Sequence, residues 1–345
     1  MGVGLADRRT TAFARSPAKQ PLAIVNDRAI LDLVDLDDAI ALVRQAMRDL
    51  SEGRVDAPER WAMPVGSAGL LALMPGAMPT HGRFGIKVLS LFDTPDGAPA
   101  VPGHQGLMLL FDAGSGRPLG ILDAHILTAL RTAAASAVAT DVLARADART
   151  LAIIGAGEQA RWHVRALRRV RALRDVRVWS RSRDSMNDFA ADIADEGVRV
   201  TVCRSARDAI DGADIVCTMT RSSGPVLLGD WVSPGQHLNL VGSSTRDARE
   251  VDEAAVARSR FIVDSRANVL SQGGELRAAI AAGMVSPVHI HAEIGEILAG
   301  TVQGREDDAM ITIYKSLGHV AQDLAIAMAV QERAAQSMNT VWADW

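Results

Sequence analysis

The fold is decided by the stretch Leu151-Ala152-Ile153-Ile154-Gly155-Ala156-Gly157-Glu158-Gln159-Ala160. A wholly apolar run, typical of a strand buried on both faces, leads into a G-x-G-x-x-A motif and the start of a helix. The first glycine of such a motif permits a tight turn, the second lets a pyrophosphate approach backbone N–H groups, and the alanine lets helix and strand pack closely. The stretch therefore predicts a dinucleotide-binding turn with cofactor contacts at Gly155, Ala156, Gly157, Glu158 and Gln159.

Strands and helices alternate along the chain that follows this turn. Further strands are predicted at Val176–Trp179, Val198–Cys203, Asp214–Met219, His237–Val241 and Arg260–Asp264. Strands separated by helical segments imply right-handed crossovers and a parallel sheet. We therefore expect an α/β protein in which residues 130–311 form a doubly wound, Rossmann-type dinucleotide-binding domain.

The end of the second strand discriminates between the two nicotinamide cofactors. Sites for NAD present an acid there to the ribose 2′-hydroxyl, whereas this chain has Trp179-Ser180-Arg181-Ser182-Arg183. Hydroxyl and guanidinium groups suit a 2′-phosphate, since arginine binds phosphate bidentately. The alternative is a solvated loop with incidental arginines. The stretch favours NADPH over NADH, with cofactor contacts at Ser180, Arg181 and Ser182.

Small and hydroxyl-bearing residues end two later strands, where the nicotinamide of a doubly wound domain lies. We take them as candidate cofactor contacts, although ordinary strand caps have the same composition: Thr218, Met219, Thr220, Val241 and Ser243. His104 and Gln105, which precede another predicted strand, are candidate contacts to the cofactor or to the substrate.

The segments that flank this domain have a mixed pattern. Helices are predicted at Leu36–Leu50 and Ala124–Ala144, and strands at Gly69–Met74, Phe84–Phe92, Gly106–Phe111 and Pro118–Leu122. A long helix is predicted over residues 311–336, and its apolar stripe has no partner nearby in sequence. We expect it to pack on the first domain, on a second copy of the chain, or on both, and a homodimer is the simplest outcome.

Composition excludes several classes of protein. The chain has 345 residues, 48% of them hydrophobic, and a formal net charge of −4, which argues against disorder and against a nucleic-acid surface. No run reaches the roughly 18 consecutive apolar residues of a membrane helix. Cys203 and Cys217 have no metal-ligand spacing, so we expect no metal site and a reducing cytoplasm. Residues 1–21 show no export signal and suggest a flexible tail.

Three cations in the flanking segments are candidates for binding an acid. Lysine occurs only three times among 37 basic residues, and Lys87 lies in the mostly apolar stretch Phe84–Leu89. A desolvated lysine has a lowered pKa and can hold a carboxylate or pass a proton, although an edge-strand lysine is the alternative. Arg131 lies among small residues that leave room beside it, unless it forms a structural ion pair. Arg60 completes the set.

The chain resembles the ornithine cyclodeaminase/μ-crystallin family along nearly its whole length beyond Pro21. The resemblance rests on Leu73-Met74-Pro75, Gly85-Ile86-Lys87, Leu127-Thr128-Ala129-Leu130-Arg131-Thr132-Ala133-Ala134, Gly155–Ala160 and Lys315-Ser316-Leu317-Gly318. It implies a homodimer in which Arg60, Lys87 and Arg131 hold the substrate carboxylate facing the nicotinamide, with Ser316 near the cofactor. It also implies that residues 22–129 and 312–345 form one α+β substrate and dimerisation domain.

Two departures place the chain on one side of this family. Cyclodeaminases of the family carry an aspartate that handles the substrate amine, and the matching position here is Ser244. They also carry an acid that holds the distal amine of ornithine, and here that position is Ala72. Both changes, and the stretch Pro102-Gly103-His104-Gln105, are similar to the μ-crystallin side, whose members reduce cyclic ketimines with NADPH.

The sequence thus predicts NADPH-dependent reduction of a carboxylated cyclic imine, such as pyrroline-2-carboxylate or piperideine-2-carboxylate. Lys87, or a water near Ser244, would keep the imine nitrogen protonated, and the sequence does not choose between them. One alternative is a cyclodeaminase or amino-acid dehydrogenase that uses another base, such as Asp247. The other is a protein that binds NADPH and a small acid with little turnover.

Overall fold

The computed structural model describes residues 21–66, 69–92 and 104–344. The first half of the chain contains β1 (Pro21–Val25), α1 (Asp27–Leu33), α2 (Leu36–Ser51), β2 (Trp61–Val65), β3 (Gly69–Met78), β4 (Arg83–Phe92), β5 (His104–Asp112), β6 (Pro118–Asp123) and α3 (Ala124–Leu143). The two long helices begin at short acidic side chains, since Asp35 accepts from the N–H of Asp38 and Asp123 from that of Ile126. Such caps satisfy N–H groups that have no partner within the helix.

The remainder of the chain alternates strands and helices. It contains β7 (Thr150–Ile154), α4 (Glu158–Val170), β8 (Asp175–Trp179), α5 (Arg183–Ile193), β9 (Arg199–Val202), α6 (Ala206–Ile210), β10 (Ile215–Thr218), β11 (His237–Leu240), α7 (Glu253–Ala257), β12 (Arg260–Val263), α8 (Arg266–Gln272), α9 (Gly274–Ala281), β13 (Ile290–Glu293), α10 (Ile294–Leu298), β14 (Thr312–Lys315), α11 (Val320–Arg333) and β15 (Thr340–Asp344).

Within the described residues these strands form two sheets. The first has seven strands in the order β15-β1-β6-β5-β4-β3-β2 and is antiparallel except for the β1–β6 pair. The second has eight strands in the order β13-β12-β14-β11-β10-β7-β8-β9, and all of its pairs are parallel. The strand order reverses between β7 and β10, which is where doubly wound sheets bind their ligands. The predicted α/β fold class is confirmed.

The inner face of the first sheet is covered by helices from both ends of the chain. Residues of α2, α3 and α11 share one core with β3 and β5, and Met47, Leu127 and Leu324 are fully buried in it. Helix α3 is long and apolar enough to cross a bilayer, but 83% of its most apolar window is buried inside the protein. It is therefore a core helix between the two sheets.

The predicted helix over residues 311–336 is wrong in its first part. Thr312–Lys315 forms β14 between β11 and β12, so the parallel sheet extends beyond the predicted boundary at residue 311. Thr312, Ile313 and Tyr314 are β-branched or aromatic and pack well in a buried strand. Gly318, at φ +81°, separates this strand from α11. The helical spacing of apolar residues across Gly318 arises by chance, because strand β14 and helix α11 each contribute part of it.

The first and last described strands both belong to the first sheet. Strand β1 pairs with β15 in antiparallel register from Pro21 opposite Asp344 to Val25 opposite Thr340. Pro21 is therefore part of the sheet, and the rest of the predicted tail lies outside the described residues. Helix α11 packs on the first domain, as one of the predicted alternatives has it.

Candidate active site

The turn between β7 and α4 has the geometry that its glycines predict. Gly155 adopts φ +109°, and a Cβ there would lie 2.5 Å from the carbonyl oxygen of Met219, so only glycine fits. Gly157 is the N-cap of α4 and makes no side-chain cap bond. A Cβ on Gly157 would meet nothing within 4 Å, so open space lies beside it. This cradle fits a dinucleotide pyrophosphate against the N-terminus of a 13-residue helix.

A cavity of about 380 Å³ opens beside this turn, and its lining contains no carboxylate. The residues that line it are Gly155, Ala156, Gly157, Trp179, Ser180, Arg181, Ser182, Ser185, Thr220, Arg221, Ser222 and Val226. The predicted contacts Ser180, Arg181 and Ser182 all lie here. Ser182 is also the N-cap of α5, since its hydroxyl accepts from the N–H of Ser185 at 3.2 Å. The loop that carries Arg181 is thereby held at the edge of the cavity.

Glu250 ties together the ends of β10 and β11 beneath the cavity. Its Oε1 accepts from the N–H and the hydroxyl of Thr220 at 2.6 and 2.8 Å, and its Oε2 from the hydroxyl of Thr218 at 2.8 Å and the N–H of Gly242 at 2.7 Å. Complete burial raises the pKa of Glu250, while the nearby Lys315 opposes that shift. The hydroxyls of Thr218 and Thr220, two residues predicted as cofactor contacts, donate hydrogen bonds to this carboxylate.

A second buried network lies at the same edge of the sheet. Lys315, at the end of β14, is fully buried, and its Nζ donates to the carbonyl and hydroxyl oxygens of Ser243 at 2.7 and 2.6 Å. It also lies 3.0 Å from Oε2 of Glu275, which accepts from the Ser243 hydroxyl through Oε1. A buried charge needs such a partner. The pair fixes the backbone immediately before Ser244.

Lys87 lies on the inner face of the first sheet, between Met74 and Met108 on the neighbouring strands. Its side chain is fully buried, and its Nζ donates to both carboxylate oxygens of Asp323 at 2.8 Å. Burial lowers the pKa of Lys87 to about 8, although Asp323 opposes this effect. The ammonium therefore loses its proton far more readily than an exposed lysine does.

Arg131, on α3, approaches the same carboxylate from the other side. Its Nε lies 3.3 Å from Oδ1 of Asp323, and its Nη1 donates to Oε1 of Gln322 at 3.3 Å. A Cβ on Gly318 would lie 2.4 Å from Nη1 of Arg131. The glycine before α11 is therefore required for the guanidinium to occupy its place.

Arg60 reaches this group from the residue before β2. Its guanidinium donates to the carbonyl oxygens of Ser244 and Leu317 and to the side chain of Gln272. Its positive charge, with that of Arg131, contributes to the lowered pKa of Lys87. Arg60 and Arg131 thus lie on the two sides of the segment Leu317–Gly318, and the contact with Ser244 joins the cations to the end of the nucleotide-binding sheet.

The three cations share this region with buried carboxylates. Two carboxylates face the three cations, Asp323 and the buried Asp264, which accepts from the N–H groups of Leu317 and Gly318 at 2.7 and 2.6 Å. Burial raises the pKa of Asp264, whereas these N–H bonds and the charge of Arg60 favour its ionised form. The guanidinium groups of Arg60 and Arg131 both lie at this segment and can hold a carboxylate ligand.

The other predicted cofactor contacts among the described residues do not line the cavity. Gln159 and Ser316 each have a buried side-chain oxygen without a hydrogen-bond partner in the described residues. Glu158 pairs with His125 at 3.0 Å. Met219 and Val241 are half-buried beside the strand ends and Gln105 is exposed. The side chain of His104, and Pro102 and Gly103, lie outside the described residues.

Sequence reasoning missed the acids that hold the site together: Asp264, Glu250, Glu275 and Asp323. One signal was available, because Asp323 interrupts an otherwise apolar helical stripe between Val320 and Leu324, both of which are buried. A charge at such a position requires a partner of opposite sign. For Glu250 and Glu275, which lie in mixed polar segments, the sequence offers no comparable signal.

A nucleotide cleft at the switch point of a parallel sheet, meeting a cluster of cations from a second domain, defines a nicotinamide-dependent oxidoreductase. The chain belongs to the ornithine cyclodeaminase/mu-crystallin family, whose profile matches residues 23–338. The predicted family is confirmed.

Known proteins that are similar to this chain are named as reductases and dehydrogenases. The chain is 34% identical over 282 residues to the ketimine reductase mu-crystallin of Mus musculus, which covers 81% of this chain and 86% of that protein. The structure of Thermococcus litoralis Delta(1)-pyrroline-2-carboxylate reductase in complex with NADH and L-proline is 33% identical, with a TM-score of 0.88, over 91% of this chain and 98% of that one. An archaeal alanine dehydrogenase dimer with bound NAD is 29% identical, with a TM-score of 0.89, over 94% and 100%.

Glu250→Gln tests whether this buried acid organises the nucleotide cleft. Oε1 faces the N–H of Thr220 and Oε2 that of Gly242, so either orientation of a glutamine amide points an NH2 group at a backbone N–H. We expect a loss of about 1–3 kcal/mol in the free energy of unfolding and weaker binding of the cofactor. Denaturant unfolding and cofactor titration measure the two effects.

The matched control is Glu253→Gln, which removes a surface pair with Arg249. This change should leave both quantities close to those of the wild type. Wild-type stability and affinity in Glu250→Gln would show that Glu250 has no such role.

Proposed function

We propose that this protein reduces a carboxylated cyclic imine to the corresponding amino acid with NADPH. Pyrroline-2-carboxylate and piperideine-2-carboxylate represent the substrate class. The observation that carries the proposal is the convergence of Arg60, Lys87 and Arg131, with the buried acids Asp323 and Asp264, where the nucleotide-binding sheet ends. A reduced nicotinamide supplies hydride to the imine carbon.

Each side chain of the cluster has a defined role in the proposed reaction. Arg60 and Arg131 bind the substrate carboxylate, because guanidinium groups bind such anions in fixed orientation. Lys87 is held in place by Asp323 and, with a pKa of about 8, keeps its proton at neutral pH while remaining able to transfer it. It therefore holds the carboxylate and keeps the imine nitrogen protonated, which makes the carbon a better electrophile.

The walls beside Lys87 favour a ring without a second amine. Ala72 lies on the same face of the sheet as Lys87 and packs with Leu89 and Ala124. An ammonium group placed against these side chains would be desolvated without a partner. Ser244, which is exposed, carries no carboxylate to act as a base. Loss of both acids supports imine reduction over deamination with ring closure.

The preference for NADPH rests on the lining of the cavity. It contains Ser180, Arg181 and Ser182 and no acid that would bind a ribose 2′-hydroxyl. The Thermococcus litoralis reductase was solved with NADH and the archaeal alanine dehydrogenase with NAD, so the family does not decide this point.

The experiment that tests the proposal is oxidation of NADPH and NADH in the presence of several cyclic ketimines. We expect turnover of at least one five- or six-membered ring carrying a 2-carboxylate, with NADPH preferred. Incubation with ornithine and NADP+ is the companion assay. Rapid formation of proline there would contradict the proposed reaction and favour a cyclodeaminase, in which Asp247 is the exposed acid nearest in sequence to Ser244.

A second candidate function follows from the similarity to alanine dehydrogenase. Reduction of a keto acid would require free ammonium, whereas reduction of a preformed cyclic ketimine would not. Dependence of the rate on ammonium therefore separates the two. Tight cofactor binding without turnover of any compound would instead favour a binding protein for a small acid.

Arg60→Gln tests the carboxylate cluster with little disturbance of the fold, because Arg60 makes no ion pair within 4.0 Å in the described residues. We expect KM for the imine to rise by about tenfold to a hundredfold, as loss of a charged hydrogen bond implies, with the affinity for NADPH unchanged. Steady-state kinetics and cofactor titration measure both. Arg169→Gln, which alters an exposed pair with Asp37, is the control. An unchanged KM for the imine in Arg60→Gln would show that Arg60 does not bind the substrate.

We also propose a homodimer formed through the outer face of the first sheet. Cross-strand neighbours on this face form an apolar row, Trp61, Leu73, Val88 and Leu107. Trp61 and Leu107 are 51% and 49% exposed in the single chain. Contiguous apolar surface of this kind marks an interface between proteins. The dimer of the similar alanine dehydrogenase supports the assignment.

Leu107→Lys tests this interface. A lysine on the apolar row would place a charge in the buried contact, so we expect the variant to be monomeric at micromolar concentration, by analytical ultracentrifugation. Val288→Lys, at a site that is 88% exposed in the other domain, should leave the assembly unchanged. A Leu107→Lys dimer as stable as the wild type would exclude this face.

The proposed location is the cytoplasm. Cys203 and Cys217 are both free thiols, and Cys217 is buried, which raises its pKa to about 12 and makes it unreactive. Unpaired cysteines are the usual state in a reducing compartment.

A further inference from the structure

Arg221, on the loop after β10, lines the nucleotide cavity. We propose that Arg221 and Arg181 bind the 2′-phosphate of NADPH together, from two sides of the cleft, and that Arg221 is therefore a determinant of cofactor specificity. This inference rests on the proposed preference for NADPH and adds to it a residue from a different loop.

Sheet order places the two arginines on opposite sides of the dinucleotide turn. Strand β7, which leads into Gly155, lies between β8 and β10 in the sheet. Arg181 follows β8 and Arg221 follows β10, so their loops leave the carboxyl edge on either side of the turn. The same cavity touches both loops and the turn itself. A phosphate group between the loops would have a guanidinium on each side.

The backbone next to Arg221 is held in place. Glu250 accepts from the N–H and the hydroxyl of Thr220, and that hydroxyl accepts from the N–H of Ser222 at 3.2 Å. The hydroxyl of Ser222 donates to the carbonyl oxygen of Gly224 at 2.7 Å. Arg221 therefore projects from a fixed turn, and little ordering of the backbone is needed when a ligand binds.

Both guanidinium groups are available to a ligand. Within the described parts of the chain, neither Arg181 nor Arg221 makes a hydrogen bond or an ion pair, and both are exposed. Arg161, at the start of α4, is different, because it is occupied by Asp192 and by the carbonyl oxygens of Ala156 and Gly157. Asp184, an acid of the loop after β8, does not line the cavity.

The charge of the ligand explains why two arginines are useful. A ribose 2′-phosphate carries close to two negative charges at neutral pH and accepts several hydrogen bonds, so two guanidinium groups match it. The 2′-hydroxyl of NADH carries no charge, so NADH would leave both guanidinium groups without an anion. The pair therefore favours NADPH by its attraction for the additional phosphate.

The test uses two probes that differ only by this phosphate, 2′,5′-ADP and 5′-AMP, in calorimetric titrations of the whole protein. The variants are Arg181→Ala, Arg221→Ala and the double variant. Arg183→Ala is the control, since Arg183 is exposed next to the same loop but does not line the cavity. We expect each single variant to lose about tenfold to a hundredfold in affinity for 2′,5′-ADP, with 5′-AMP unchanged, and the control to behave as the wild type.

The same titrations separate failure of this inference from failure of the proposed function, because they require no imine. Should the wild type prefer 2′,5′-ADP and Arg221→Ala keep that preference, Arg221 is not part of the site, while the NADPH preference stands. An equal loss for both probes would assign Arg221 to the 5′-phosphate and overturn the inference. A wild type that binds both probes equally would overturn the NADPH preference and this inference together, leaving imine reduction to its own assay.

Discussion

The active site depends on one buried carboxylate. Asp323 is contributed by the last long helix, and it neutralises Lys87 from the first sheet and faces Arg131 from the central helix. Three elements distant in sequence are thereby held by a single, fully buried acid. Removing the acid would leave two like charges buried together, which is among the most costly changes that a protein interior can undergo. Its presence allows cations to gather where a substrate anion is needed.

The parts of the fold that follow from local pattern could be predicted from the sequence. The strand into Gly155 and the strands after it are short apolar runs bounded by turns, so each can be recognised from its own residues. Strand β14 could not be found in this way, because its buried residues continue in helical spacing into α11 across Gly318. Strands β1 and β15 depend on each other across the length of the chain, and pairing of that kind leaves no local pattern.

The site could be predicted only in part, for a related physical reason. Lys87, Arg60 and Arg131 were recognisable as unusual cations and by resemblance to a family. Apart from Asp323, which interrupts an apolar stripe, the acids that position them have no such mark, since a single Asp or Glu in a polar segment looks like surface until its neighbours are known. Thr218 illustrates the limit, because its residue type suggested a ligand contact, whereas its side chain is fully buried and its hydroxyl donates to Glu250. Partners, unlike residue types, are a property of the folded chain.

One consequence follows from the short segment between β14 and α11. The last strand of the nucleotide-binding sheet ends at Lys315, and helix α11 begins at Val320, so Ser316–His319 joins the two domains with almost no slack. Leu317 accepts from Arg60 and Gly318 makes room for Arg131 within this connection. A bound acid that moves either guanidinium must act on the edge of the nucleotide sheet as well. Coupling between the proposed acid and the dinucleotide through this connection would be reciprocal, so that each would alter the affinity of the other by the same factor.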